Sequence, residues 1–114
     1  MSENCIFCEI SAGRAPAAVE YEDEHVIAFS DINPAAPLHI LVVPKKHIGT
    51  IMEITEKDEP VIGHLIRIAR KIATERHLAG YKLLFNVGKE GGQVIPHVHL
   101  HLLGGWEKGK VKEV

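Results

Sequence analysis

The sequence predicts an α+β domain in which one long helix covers a mostly antiparallel sheet of about five strands, with a short N-terminal helix beside it. Apolar residues recur at spacings of three and four over residues 61–73, which is typical of an amphipathic helix. The segments on either side are short, apolar and rich in β-branched residues, and Pro- or Gly-containing turns connect them, which favours antiparallel strands. With 114 residues the chain is long enough for a single domain, and we expect residues 1–114 to form it.

The first half of the chain supplies most of the predicted sheet. A short helix is expected around residues 5–12 and a short strand within residues 20–24. Residues 25–32 form the next predicted strand, and the prolines of residues 33–37 mark a turn. Residues 38–44 are almost wholly apolar, which predicts a buried strand.

The second half begins with the long helix. It is expected to start near Asp58 and to run for about 20 residues, with residues 55–58 as a capping box and Pro60 in the first turn. Gly80 is the expected C-terminal cap. Strands are predicted over 81–87 and 97–103, on either side of a turn at 88–92.

Composition and charge exclude several classes of protein. Thirteen basic and fifteen acidic residues leave a formal charge of −2, so no basic excess indicates nucleic-acid binding. No apolar run is long enough for a membrane helix, and the N-terminal residues lack the features of a secretory signal. We therefore expect a cytoplasmic protein with reduced thiols and no membrane partner.

Three histidines alternate with apolar residues in the segment "HVHLHLL", at His97, His99 and His101. On a strand they would share one face, with Val98, Leu100 and Leu102 on the other, toward the core. Adjacent imidazolium ions would repel one another, so the rings should be largely neutral at pH 7. A neutral imidazole has one free lone pair, which can accept a proton, bind a metal or attack an electrophile. A solvated polar face and a metal site are the alternatives that the pattern leaves open.

The segment 97–103 resembles the histidine triad motif, in which three histidines alternate with apolar residues and two more apolar residues follow. Three longer segments resemble the histidine triad nucleotide-binding proteins in family order: "CIFCEISAGRAP" (5–16), "DINPAAPLHILVVPKKHI" (31–48) and "LLFNVGKEGGQVIPHVHLHLLGG" (83–105). Together they cover nearly the whole chain. The resemblance implies the same fold class and a nucleotide-binding hydrolase.

The resemblance also implies roles for four histidines. His99 would attack the α-phosphorus of a purine nucleotide conjugate and form a nucleotidyl-histidine, which water then hydrolyses. His101 would stabilise the charge that develops on the phosphoryl group, and His97 would support the site from the other side. His39 would belong to the same polar network; from the residues alone it is more simply a core histidine with its hydrogen bonds satisfied.

A nucleotide pocket follows from the same resemblance. Asp31 would bind the ribose hydroxyls. The apolar walls around the base would be Ile32, Phe7, Ile10 and Phe29, and the phosphate side would be formed by Asn86, Gly92, Gln93 and Val94. Glycines at 91 and 92 let backbone N–H groups approach an anion, although a simple hairpin turn explains them equally well. Val94 departs from the eukaryotic branch, where a serine in this place assists the leaving group.

The spacing of Cys5 and Cys8 is that of half a zinc site. The residues alone also allow two small buried apolar side chains, whereas a redox pair is disfavoured by the position at the N-terminus. The resemblance implies a completed structural zinc site in which His47 and His97 supply the other two ligands. No organic cofactor is expected.

The resemblance leaves more than one activity open. Hydrolysis of purine nucleoside phosphoramidates, with an AMP-like ligand, is the first. Hydrolysis of dinucleoside polyphosphates is the second, and a non-catalytic nucleotide-binding regulatory module is the third, since Val94 offers no proton. The resemblance also implies a homodimer, in which Trp106 would reach the partner's pocket or pack at the dimer interface.

Overall fold

The sheet of the computed structural model, which describes residues 5–111, has five strands. They are β1 (Val19–Glu22), β2 (Val26–Ser30), β3 (Leu38–Pro44), β4 (Tyr81–Leu84) and β5 (Leu100–Gly104). Their order is β1-β2-β3-β5-β4, and every neighbouring pair is antiparallel. The predicted fold class is therefore confirmed. The strand β5 pairs with both β3 and β4, so the last strand along the chain lies inside the sheet.

Two α-helices accompany the sheet, α1 (Ile6–Ser11) and α2 (Glu59–Glu75). The predicted capping box is present between Thr55 and Asp58, but it closes a single 3₁₀ turn, Glu56–Asp58, that leads into α2. Pro60 lies in the first turn of α2, where its missing N–H is not needed.

The prediction that Gly80 caps α2 is wrong. The helix ends at Glu75 with Arg76 as its cap, and His77 adopts the left-handed conformation with φ of 57°. The N–H groups of Arg76 and His77 bond to the carbonyls of Ile72 and Thr74. A left-handed residue satisfies the last carbonyls of a helix whichever side chain it carries, so glycine is favoured there but is not required.

The two faces of the sheet are covered differently. One face packs against the buried side of α2, where Leu65, Ile68 and Ile72 meet the side chains of Ile40 and Leu102. The other face carries a second apolar cluster around α1, formed by Cys5, Phe7, Ile27, Phe29, Leu41 and Val43. The long helix therefore provides the main core and leaves the opposite face for α1 and for the histidines of β3 and β5.

Several strands are shorter than predicted. The strand expected over 25–32 spans Val26–Ser30, and the one expected over 81–87 ends at Leu84. The most important difference concerns 97–103, because β5 begins only at Leu100. Val98, Leu100 and Leu102 do point into the core as the alternation predicted, but His97 and His99 lie outside the hydrogen-bonded ladder.

Within residues 5–111, none of the helices has both the length and the apolar character needed to cross a membrane.

Candidate active site and metal centre

His99 is held in one tautomer by the main chain. Its Nδ1 lies 2.7 Å from the carbonyl oxygen of His97, and since a carbonyl only accepts, this nitrogen carries the proton. The lone pair of a neutral His99 is then on Nε2. His99 is buried, and its ring packs against the rings of Phe7 and His101, with 5.2 Å and 4.9 Å between the centroids. The arrangement presents a nucleophilic nitrogen with a fixed direction.

His101 is held in the opposite tautomer by His39. The Nδ1 of His39 accepts the backbone N–H of Ala35 at 2.9 Å, so a neutral His39 carries its proton on Nε2. That Nε2–H donates to Nδ1 of His101 at 2.9 Å, which leaves the His101 proton on Nε2. The two residues are diagonal neighbours on the paired strands β3 and β5, because His39 is opposite Leu103 and His101 is opposite Leu41.

The Nε2–H of His101 is a buried donor for which residues 5–111 supply no acceptor. A buried donor without a partner costs about 1–3 kcal/mol, and such groups call for a ligand or an ordered water. The ring that carries this nitrogen packs against the ring of His99, with 4.9 Å between the two centroids.

The linked imidazoles of His101 and His39 both have lowered pKa values, which favours their neutral forms. Burial lowers the pKa of His101 to about 4, helped by the nearby rings of His99 and His39. Burial also lowers the pKa of His39, although the carboxylate of Asp31, 3.4 Å from its Nε2, acts in the opposite direction. Neutral rings can hold the tautomers described above, as the sequence predicted.

A second group of four side chains lies beside this row. Nδ1 of His97 is 3.2 Å from Sγ of Cys5, 3.6 Å from Sγ of Cys8 and 3.2 Å from Nδ1 of His47. Sγ of Cys8 is also 3.2 Å from Nδ1 of His47. The four side chains predicted as metal ligands are thus brought together, with both thiols free of any disulfide.

The donor set and its spacing fit a tetrahedral zinc ion. Zinc–nitrogen and zinc–sulfur bonds of about 2.0 and 2.3 Å place tetrahedral ligand atoms about 3.3–3.8 Å apart, close to the distances seen here. His97 donates its Nε2–H to the carbonyl of Pro44 at 2.8 Å, which turns the lone pair of Nδ1 toward the other three ligands. Burial and the neighbouring Cys5 raise the pKa of Cys8 to about 11, a penalty that a bound divalent cation would remove.

His97 therefore contributes to both the four-residue metal group and the histidine row, through different atoms. Its ring belongs to the Cys5–Cys8–His47 group, and burial lowers the pKa of that ring to about 4. Its main-chain carbonyl belongs to His99.

The predicted base walls lie mostly in the second apolar cluster. Phe7 and Phe29 are buried there with their rings 5.4 Å apart, and Ile10 packs against the same cluster. Ile32 is separate, because 91% of its surface is exposed in the loop after β2. Asp31 lies at the start of that loop and contacts His39, which connects the predicted ribose side to the histidine network.

The predicted phosphate-side residues form the loop between β4 and β5. Asn86 donates to the carbonyl of Gly91 at 3.0 Å, and Gly92 has a φ of 87°. The side-chain amide of Gln93 makes its hydrogen bonds within the protein: it donates to the carbonyls of Gly49 and Ile95 and accepts from the N–H of Gly88. Its amide thus holds the loop closed, while the side chain of Val94 is exposed.

Sequence reasoning missed the groups that fix the imidazoles. The acceptor for His97 and the donor for His39 are main-chain groups of Pro44 and Ala35, and no residue type signals them. It also gave no role to His64, whose Nε2 lies 2.6 Å from Oδ2 of Asp23, a carboxylate that also accepts from Tyr21 at 2.7 Å.

Comparison with known proteins agrees with this geometry. Residues 4–113 match the protein-family profile described as "Scavenger mRNA decapping enzyme C-term binding". The purine nucleoside phosphoramidase of Escherichia coli K12 is 41% identical over 107 residues, which are 92% of this chain and 90% of that protein. The structure of a HIT family hydrolase from Clostridium thermocellum is 43% identical, with a TM-score of 0.92 and full coverage of both chains.

A further solved structure bears on the metal group. The zinc-bound histidine triad family protein of Mycobacterium smegmatis is 30% identical, with a TM-score of 0.83, over 96% of this chain and 81% of that one. The family profile, the sequence relatives and the superposable folds agree with the histidine row on β5 and the loop before it. This chain belongs to the histidine triad (HIT) family.

Proposed function

We propose that this nucleotide hydrolase cleaves purine nucleoside phosphoramidates at the α-phosphorus, with an AMP-like group as the part it binds and His99 as the nucleophile. The names of its relatives support a HIT hydrolase. The single observation that carries the assignment of His99 is its hydrogen bond to the carbonyl of His97, which leaves Nε2 unprotonated.

In the first step the Nε2 lone pair of His99 attacks phosphorus, an Nε2–P bond forms and the P–N bond to the leaving amine breaks. The imidazole becomes positively charged, and its Nδ1–H strengthens the bond to the His97 carbonyl. The amine takes a proton from water, because a neutral His101 has only its Nε2 proton and keeps it in the hydrogen bond to the phosphoryl group. In the second step water attacks phosphorus, the Nε2–P bond breaks and the monophosphate is released with a proton.

His101 has the position to assist both steps. Its Nε2–H is the buried donor described above, and a non-bridging phosphoryl oxygen is a suitable acceptor. The charge on that oxygen grows as the nucleophile attacks, so the hydrogen bond stabilises the transition state more than the bound substrate.

The nucleotide-binding roles are part of the same proposal. Asp31 would accept from the ribose hydroxyls, a role supported by the 3.4 Å between its Oδ2 and Nε2 of His39, which ties it to the histidine network. Ile32, Phe7, Ile10 and Phe29 would surround the base, and the loop with Asn86, Gly92, Gln93 and Val94 would border the phosphate. Exposed Ile32 supports this, because an apolar side chain left so open is suited to a ligand surface.

A structural zinc ion in the Cys5–Cys8–His47–His97 group is the second part of the proposal. All four protein ligands are present, so no open position remains for a metal-bound water. The ion would fasten α1 to the sheet. Metal analysis of the purified chain should find one zinc per chain, and Cys8→Ser should lower that ratio; a wild-type protein that cannot take up zinc would refute the site.

The test of the activity is turnover of adenosine 5′-phosphoramidate, followed as release of AMP. His99→Ala should abolish turnover while AMP binding, measured by calorimetry, stays within about threefold because the ring is lost from one side of the pocket only. A wild-type protein that binds AMP but turns over no nucleotide conjugate would show a binding module instead.

Hydrolysis of dinucleoside polyphosphates is a second candidate, and the exposed side chain of Val94 favours it. Valine cannot donate a proton, and a phosphate leaving group needs protonation less than an amine does. A comparison of kcat/KM for diadenosine polyphosphates and for the phosphoramidate decides between them, with Val94→Ser as the variant that should raise the phosphoramidate rate.

We also propose a homodimer. The edge strand β4 exposes apolar surface at Tyr81 and Leu83, which a second chain would cover. Light scattering coupled to size-exclusion chromatography gives the mass in solution, and a monomer at micromolar concentration would refute the dimer.

A further inference from the structure

The main chain that carries the nucleophile lies outside the sheet. The strand β5 begins at Leu100, so His97 and Val98 are held by contacts other than the ladder. The N–H of His97 bonds to the carbonyl of Ile95 at 2.8 Å, and the N–H of Val98 bonds to the carbonyl of Ile48 at 2.7 Å. One bond between two loops therefore fixes the backbone just before His99.

Two members of the Cys5–Cys8–His47–His97 group lie next to the residues of the Val98–Ile48 hydrogen bond. His47 precedes Ile48 and His97 precedes Val98, and their Nδ1 atoms are 3.2 Å apart. A metal held by both rings joins the same two loops that the Val98–Ile48 bond joins. Without a cation the same side chains are joined only by weak S–H···N and N–H···N contacts. These contacts restrain the two loops less than four metal–ligand bonds would.

Two contacts lead from this group to His99. The first is the 2.7 Å hydrogen bond from His99 Nδ1 to the carbonyl of His97, a residue whose ring is a ligand. The second is Phe7, which lies between Cys5 and Cys8 in the sequence and whose ring packs edge-on against both His97, at 5.7 Å, and His99, at 5.2 Å. The positions of the Phe7 ring and of the His97 carbonyl therefore depend on the positions of the metal-ligating side chains.

We propose that His97 and Phe7 are positioning residues through which metal occupancy of the Cys5–Cys8–His47–His97 group sets the tautomer and direction of the His99 ring. The inference rests on the zinc ion of the proposed function, and on the proposed hydrolysis only for its effect on turnover. Without the metal, the carbonyl of His97 and the Phe7 ring are less restrained, and His99 divides its proton between Nδ1 and Nε2. The fold is retained, because the main core lies on the other face of the sheet, against α2.

The test compares zinc-loaded protein with protein stripped by a chelator. Long-range ¹H–¹⁵N correlation spectra report which nitrogen of His99 is protonated. We expect the Nδ1–H form alone with zinc, both forms after chelation, and a return of the single form when zinc is added back. For the phosphoramidate, kcat should fall by about tenfold or more after chelation, since a misdirected nucleophile is costly, while KM changes by less than about threefold.

Two variants separate coupling from simple binding. Phe7→Leu should keep its zinc stoichiometry but show a mixture of His99 tautomers even when loaded. Ser11→Ala is the matched control, since it alters the same helix at a buried hydroxyl that bonds to nothing among residues 5–111. It should behave as the wild type in every measurement.

The outcomes are distinct. Identical His99 spectra and equal kcat in the loaded and stripped forms would overturn the proposal, and so would failure to bind zinc. Global unfolding on chelation, seen by circular dichroism, would also overturn it, because the metal would then only hold the fold. A zinc-dependent tautomer in a protein that hydrolyses no phosphoramidate would support the positioning role and refute the proposed substrate.

Discussion

His39→Ala should slow hydrolysis of adenosine 5′-phosphoramidate although His39 does not face the reacting atoms. The wild-type Nε2–H of His39 donates to Nδ1 of His101 at 2.9 Å. That bond keeps the His101 proton on Nε2, where a phosphoryl oxygen can accept it. Once the donor is removed, His101 can carry its proton on Nδ1, and a lone pair then faces the oxygen.

The expected loss is that of one hydrogen bond to a charged group. Such bonds contribute about 1.5–3 kcal/mol, and each factor of ten in rate is about 1.4 kcal/mol. The predicted fall in kcat is therefore about 10- to 150-fold. The effect belongs mainly to kcat, because the charge on the oxygen is largest in the transition state.

The assay is the initial rate of AMP release at pH 7, with kcat and KM determined separately. His39→Gln is the matched control, since its amide can donate to His101 and accept from Ala35 as the imidazole does. It should recover most of the rate. A His39→Ala protein that is folded and works within about twofold of the wild type would refute the proton arrangement, because even the smallest of these losses is larger.

Three further predictions concern stability. The free energy of unfolding of metal-free protein should fall as pH drops from about 6.5 toward 4. The folded state lowers the pKa of His101 to about 4, so the unfolded chain binds the extra proton first. Urea titrations should give a weaker pH dependence of this free energy for His101→Asn, and an unchanged dependence would contradict the prediction. Asp23→Ala should cost about 1–3 kcal/mol in thermal or urea unfolding without changing turnover. That carboxylate accepts three hydrogen bonds within the β1–β2 hairpin and one from His64 of α2, whereas Glu24→Ala, at an exposed neighbour, should be neutral. Gly92→Ala should lower the free energy of unfolding by about 1–2 kcal/mol, because the φ of Gly92 is 87°. Gly91→Ala should not lower it, since Gly91 has open space around it and no positive φ. Equal effects of the two substitutions in urea unfolding would show that the backbone conformation of Gly92 is not the cause.

The sequence predicted the sheet and the long helix well because both depend on hydrophobic periodicity. The apolar run of β3 and the spacing on α2 each bury one continuous surface, and a pattern of that kind has few alternatives. The ends of the elements were predicted less well. Gly80 and His77 illustrate this, since a left-handed cap costs a non-glycine residue little enough for the surroundings to decide.

The histidine row also shows that the burial of side chains was predicted better than the ends of the strand. Alternation correctly predicted that Val98, Leu100 and Leu102 are buried. It could not predict that the ladder begins only at Leu100, because the competing partner of Val98 is a carbonyl in a distant loop. The metal group was assembled from the family resemblance and not from spacing, since Cys5 and His97 are 92 residues apart.

The position of β5 between β3 and β4 has a consequence for how the protein is made. On the ribosome, β3 and β4 emerge before the strand that joins them, so neither can complete its pairing until residues 100–104 have left the exit tunnel. Until then, the borders of β3 and β4 that pair with β5 in the finished sheet are unpaired. The same late segment carries His101 and follows directly on His99, so a translation product truncated before residue 97 would lack both the complete sheet and the histidine row.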